Sequence, residues 1–203
     1  AIAWDGSRER FLVGTAEKGL VLAIAEDGSS EVLLEANDEN GLWSVSGLAA
    51  DTANNRLWIS SAATPKFSRF IPTDRNHGAL FEFNLETLEQ VGQYFVPIDA
   101  LPHELGSLAV TTDGHVYVAD RATPIVYRKT PDGKRLEAFV GARELVSFSD
   151  LAVAPDNSRL FVADRYKGVF VVDPVAEQAA MLGGPDHLNL GGIEGVDYAV
   201  GRL

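Results

Sequence analysis

The residues best equipped for chemistry fall into two groups. Between Ser61 and Gly78 the chain gathers Lys66, Phe67, Arg69, Phe70, Arg75 and His77, stiffened by Pro65 and Pro72. In a protein of formal charge −12 this local basic and aromatic cluster suits a lid that attracts an anionic ligand. The competing reading is a solvated excursion that packs its two phenylalanines onto the rim. The second group is oxygen-rich: Ser149 beside Asp150, together with His103 or His187, supplies the residue types of a hydrolytic set, at distances that sequence does not fix. The four histidines, His77, His103, His115 and His187, form no short chelating pair, so a histidine-based zinc site is not expected. His115 sits in a tight Asp113-Gly114-His115 turn and is expected to be exposed. Nucleophile-elbow and phosphate-loop patterns are absent. The lack of cysteine removes thiol nucleophiles, thiolate zinc sites, iron–sulfur sites and disulfide scaffolds.

Composition narrows the classes further. The chain has 203 residues, 46% of them hydrophobic, enough to build a core. Seventeen Lys and Arg against 29 Asp and Glu make nucleic acid or an anionic membrane a poor partner. No apolar run is long enough to span a bilayer as a helix. A soluble protein is expected, with the balance toward a periplasmic or secreted setting.

These residues must be positioned by a repeat. Five segments open with a small apolar run: Ala1–Asp5, Gly47–Asp51, Ser107–Thr111, Asp150–Ala154 and Gly195–Tyr198. Anchored on Ile2, Leu48, Leu108, Leu151 and Val196, they are spaced by 46, 60, 43 and 45 residues. A period near 45 is that of a four-stranded propeller blade, and the 60 locates an insertion. Second strands follow at Phe11, Leu57, Val116 and Leu160, and third strands at Leu20, Ala79, Ile125 and Val169. The turns between first and second strands, Asp5-Gly6, Asn54-Asn55, Asp113-Gly114 and Asp156-Asn157, tolerate positive φ. The expected fold is all-β, a single propeller domain over residues 1–203. Its blades fall at about 1–40, 41–100, 101–145 and 146–190, with the start of another at 191–203. Four blades and one strand do not close a ring, so the expectation is a portion of a longer propeller, or an associating oligomer if the ring is truly open.

In a propeller the loops before each first strand and those between second and third strands share one face, the usual ligand site. Trp43, Phe67, Arg69, Arg75, His103, Glu104 and Tyr166 are the ligand-binding candidates there, for a small molecule or a peptide. The repeated Val-Ala-Asp-Arg ends, Val118–Arg121 and Val162–Arg165, read as architecture, each Asp accepting hydrogen bonds from loop amides.

The motifs Gly47-Leu-Ala-Ala-Asp51, Ser107-Leu-Ala-Val110 followed by Val116-Tyr-Val-Ala-Asp120, and the run Asp150–Asp164 resemble the senescence-marker/gluconolactonase/luciferin-regenerating-enzyme-like superfamily of six-bladed propellers; NHL-type propellers share the same signature. The resemblance covers essentially the whole chain and implies about two further blades. It also implies a lactonase with one divalent cation, calcium or zinc, in the channel. In this sequence the family's first glutamate would precede Ala1, its asparagine falls on Ser149, and its late acidic residue on Glu194. Glu194 and Ser149 are thus the implied metal ligands, and Glu194 and Asp150 the implied catalytic carboxylates, with serine in place of asparagine as a departure. Two functions remain open at this point: hydrolysis of a lactone or related ester, and non-catalytic binding through the same face.

Overall fold

The computed structural model describes residues 1–97, 99, 101–141, 145–184 and 191–199. They form sixteen strands in four antiparallel sheets, each a meander of four consecutive strands. The chain divides into two compact units, Ala1–Leu105 and Gly106–Leu203.

The first unit holds two blades. One comprises β1 (Ile2–Asp5), β2 (Arg10–Gly14), β3 (Leu20–Ala25) and β4 (Ser30–Glu35). The other comprises β5 (Ser44–Asp51), β6 (Arg56–Ala62), β7 (Gly78–Asn84) and β8 (Gln90–Phe95). Strand alternation explains what lies between them. Leu48 pairs with Ile59 and Ile59 with Phe81, while Leu57 pairs with Phe83, so these side chains share one sheet face. That face packs on Leu12 and Val21 of the first blade, in one buried core. Burying each such side chain contributes roughly 1.5–3 kcal/mol. Gly14 lets the sheets approach, since a Cβ there would fall 2.3 Å from Val45 Cγ1.

The second unit repeats the plan with β9 (Leu105–Val110), β10 (Val116–Asp120), β11 (Ile125–Lys129) and β12 (Glu137–Val140), then β13 (Phe148–Val153), β14 (Leu160–Asp164), β15 (Gly168–Asp173) and β16 (Gln178–Met181). Its core joins Val126, Phe139, Phe148, Leu151, Val162 and Phe170. Asn157 fastens the two blades at their turns, its side chain accepting from the Thr112 amide at 3.0 Å and donating to Thr112 Oγ1 at 2.7 Å.

The turn chemistry is as expected at Asn55 (φ 53°), Gly114 (φ 88°) and Asn157 (φ 59°). In the first blade the positive φ falls on Glu9 (φ 49°) rather than on Gly6, at the last residue of a four-residue loop, the place that Asn55 takes in the second blade. Three departures from the sequence reading stand out. The last blade has a fourth strand over Gln178–Met181, too small and polar to read as one. The segment Gly195–Tyr198 forms no ladder strand, yet Ile193, Val196 and Tyr198 pack on Ala152 of β13, Ala154 just after it and Phe161 of β14. His115 is half-buried rather than exposed, its Nδ1 3.2 Å from Asp113 Oδ1.

Candidate functional site

In the first unit three loops converge: 15–19 between β2 and β3, 36–43 before β5, and the insertion 63–77 between β6 and β7. The insertion is folded and fastened from several sides. The Ser44 hydroxyl lies 2.9 Å from the Ala16 carbonyl and 3.0 Å from Thr64 Oγ1. The Trp43 amide donates to Ser61 Oγ at 2.9 Å, and the Ser68 amide to the Glu17 carbonyl at 2.7 Å. Pro72–Asp74 makes a single 3-10 turn, with proline supplying the fixed φ of its first residue. That turn aims Asp74 Oδ2 at the Trp43 indole N–H, 3.1 Å away. Gly19 is required beneath this arrangement: at φ 62° its Cβ would lie 2.4 Å from the Trp43 carbonyl and 2.6 Å from Ala36 Cβ.

The predicted binding residues of this unit separate into roles. Phe67 is buried in the apolar core and also lines the open clefts beside it. Arg69 is committed to the neighbouring loop, donating to the Ala36 carbonyl at 2.9 Å and pairing with Asp38. Trp43 stands 6.2 Å from the His77 ring and 6.4 Å from the Phe95 ring, centroid to centroid. Beyond it opens a cavity of about 260 Å³ lined by Arg75, Asn76, His77, Gly78, Phe95, Val96, Pro97, Asp99 and His103. Arg75 and His103, 28 positions apart in sequence, therefore meet at one cavity. His103 is buried, with Nε2 3.1 Å from Asp99 Oδ1. The Leu101 amide donates to the same oxygen at 2.6 Å and, with His103, holds the Asp99 carboxyl below its usual range against partial desolvation. Glu104 is half-buried just ahead of β9 and does not line this cavity. Asp99, Phe95 and His77 were not singled out as a set by sequence. Their only signal was proximity to the insertion and to His103.

The second unit brings Ser149, Asp150 and Glu194 into one neighbourhood, and each is engaged there. Ser149 is the extra residue of a β-bulge where β13 pairs with β14, the same place at which Ser46 bulges from β5. Its hydroxyl donates to the Ile193 carbonyl at 2.7 Å, with the Ala163 carbonyl 3.2 Å away as a second acceptor. Asp150 is a clasp across three successive inner segments. One oxygen accepts from the Ser107 hydroxyl and from the Leu151 amide at 2.9 Å, and the other from the Val196 amide at 3.0 Å. Glu194 is exposed and pairs with Arg165 at 2.7 Å. A calcium or zinc ion needs several oxygens free of protein donors and turned to one point. The oxygens of these residues are turned elsewhere, and among the described residues no group of three or more His, Asp or Glu is placed to hold a metal ion. The set does not fit the cation that the family resemblance implies. His187 lies outside the described residues.

The two Val-Ala-Asp-Arg ends show how the loops are held. Asp164 is fully buried and accepts four backbone amides: Val146 at 2.6 Å and Ser147 at 2.8 Å on Oδ2, Tyr166 at 2.9 Å and Lys167 at 3.1 Å on Oδ1. Burial pushes its carboxyl up, and the four amides together outweigh that and hold it below the usual range. Asp120 accepts from Ala122 at 3.0 Å and Thr123 at 3.2 Å in the matching position. Tyr166, after the second copy, turns its ring to solvent.

Solved structures of the same fold exist. Over its whole length this chain superposes on 68% of a chain from a nidogen/laminin complex, with a TM-score of 0.73 at 14% identity. A Bacteroides thetaiotaomicron protein of unknown function matches 97% of this chain and 53% of its own at TM-score 0.66 and 16% identity. Kuenenia stuttgartiensis hydrazine synthase matches 89% of this chain and 47% of its own at TM-score 0.65 and 10% identity. The chain is a β-propeller. At these identities the likeness carries the fold alone, and the chain spans only about half the length of the last two. No family model matches the sequence, and no curated protein matches it. No helix among the described residues is long and apolar enough to cross a membrane.

Proposed function

We propose that this propeller is a recognition module that takes a small molecule or peptide at the capped loop end of its second blade. The observation that carries the reading is the folded insertion. It is fastened to loop 15–19 through the Ser68 amide and to loop 36–43 through the Arg69 and Asp74 side chains, and it brings Arg75 and His77 to a cavity also lined by Phe95, Val96 and Pro97. Ligand sites pair an apolar floor with a few placed polar groups in this way. A partner protein has a precedent in the structural neighbour solved as a nidogen/laminin complex.

The competing reading is metal-assisted lactone hydrolysis, which draws on Glu194, Ser149 and Asp150 and on the family resemblance. Asp150 would have to release Ser107 and Val196 to act as a base, which would unfasten three inner segments. Two measurements separate the readings. In a ligand-observed NMR fragment screen, hits are expected to shift the Trp43 indole and His77 signals. In calorimetry, calcium and zinc are expected to bind no more tightly than millimolar. Sub-millimolar binding of either ion, lost on Glu194→Gln, would overturn the recognition reading, as would hits that leave the Trp43 and His77 signals unmoved.

A further inference from the structure

Resting on that recognition reading, we infer that the cavity beside the cap takes a small zwitterion with an apolar body, of which an apolar α-amino acid is the simplest kind. Residues of opposite charge, Arg75 and Asp99, line this one space. Arg75 is exposed at the rim, and its guanidinium has no carboxylate partner among the described residues. Asp99 lies on the lining with Oδ1 spent on the Leu101 amide and His103, and with Oδ2 unpartnered among the described residues. The two do not pair with one another, although a guanidinium and a carboxylate that meet form a strong two-pronged bond. A ligand carrying a carboxylate and an ammonium satisfies both. The carboxylate takes the planar fork of Arg75, and the ammonium takes Asp99 Oδ2.

The same lining offers apolar surface for the ligand's body in Phe95, Val96 and Pro97. A volume of about 260 Å³ falls just under that of pockets that hold drug-sized ligands, which sets the scale at a single small molecule. The net charge of −12 disfavours a simple anion at long range, whereas a zwitterion carries no net charge to repel. Asp99, held below the usual carboxylate range chiefly by the Leu101 amide, is an ionised acceptor throughout neutral pH.

Calorimetry with three probes of one shape tests the class: phenylalanine, 3-phenylpropionate, which lacks the ammonium, and 2-phenylethylamine, which lacks the carboxylate. Phenylalanine is expected to bind about tenfold or more tightly than either. Arg75→Gln should lower phenylalanine to the level of 2-phenylethylamine. Asp99→Asn, whose Oδ1 can keep Leu101 and His103, should lower it to the level of 3-phenylpropionate. An unchanged melting temperature in both variants shows that the effect is local. Equal binding of all three probes would refute the zwitterion and leave the recognition site standing. Absence of binding by any of them at millimolar concentration would refute the site itself.

Discussion

Asp164 offers the sharpest test of how the loop face is held. Its two oxygens accept four backbone amides inside a residue with no solvent exposure, Val146 and Ser147 on one and Tyr166 and Lys167 on the other. Asparagine has the same shape, but in either orientation its NH₂ group must face two N–H donors. Two of the four bonds are then lost and replaced by donor–donor contacts. Hydrogen bonds to a charged group contribute about 1.5–3 kcal/mol each, and water can reach part of this loop at the exposed Val146 and Tyr166. The expected cost of Asp164→Asn is therefore about 3 kcal/mol, close to that of Asp164→Ala.

The assay must report the second unit. All three tryptophans, Trp4, Trp43 and Trp58, lie in the first, so tryptophan fluorescence is blind to this change. Urea unfolding followed by far-UV circular dichroism, with hydrogen exchange at the Tyr166 and Lys167 amides, is the suitable pair. The pH dependence adds a second arm. The folded carboxyl titrates below its unfolded value of about 3.9, so its contribution is full above that pH and is lost as pH falls through the folded value. The asparagine variant should lack that part of the acid limb. An Asn variant within about 0.5 kcal/mol of the parent, with the acid limb intact, would refute the argument that charge rather than shape holds the loop.

Two further outcomes follow from the cap. Gly19→Ala forces a Cβ against the Trp43 carbonyl and Ala36 at a positive φ, and should cost about 2–4 kcal/mol, read from the urea midpoint of tryptophan fluorescence. Trp43→Phe removes the indole bond to Asp74 at a cost of about 1 kcal/mol and should speed hydrogen exchange at the Asp74 and His77 amides, while exchange in the second unit stays unchanged.

The repeat was legible because a blade is a local object. Val116–Asp120 and Leu160–Asp164 announce the same strand twice, and Asn55, Gly114 and Asn157 take the positive φ that their types permit. Outer strands were harder to read. Gln178–Met181 is solvated and has no need of the β-branched pattern that marks a buried strand, so only its pairing with β15 reveals it.

What the amino-acid sequence determined alone is the periodic part: strand order, turn classes, the position of the insertion, and the Asp residues that close second strands. These depend on neighbours within a few residues or on a repeat that can be counted. Tertiary structure alone decided which candidate side chains are free to meet a ligand. Phe67 and Arg69 look like binding residues in a chain of negative charge, yet one fills the core and the other ties down loop 36–43. Asp150 looks like a catalytic carboxylate, yet its oxygens clasp Ser107 and Val196, each more than 40 positions away. A carboxylate or guanidinium acts on a ligand only with the hydrogen-bonding capacity that the rest of the protein leaves unused, and that remainder is a property of the assembled chain.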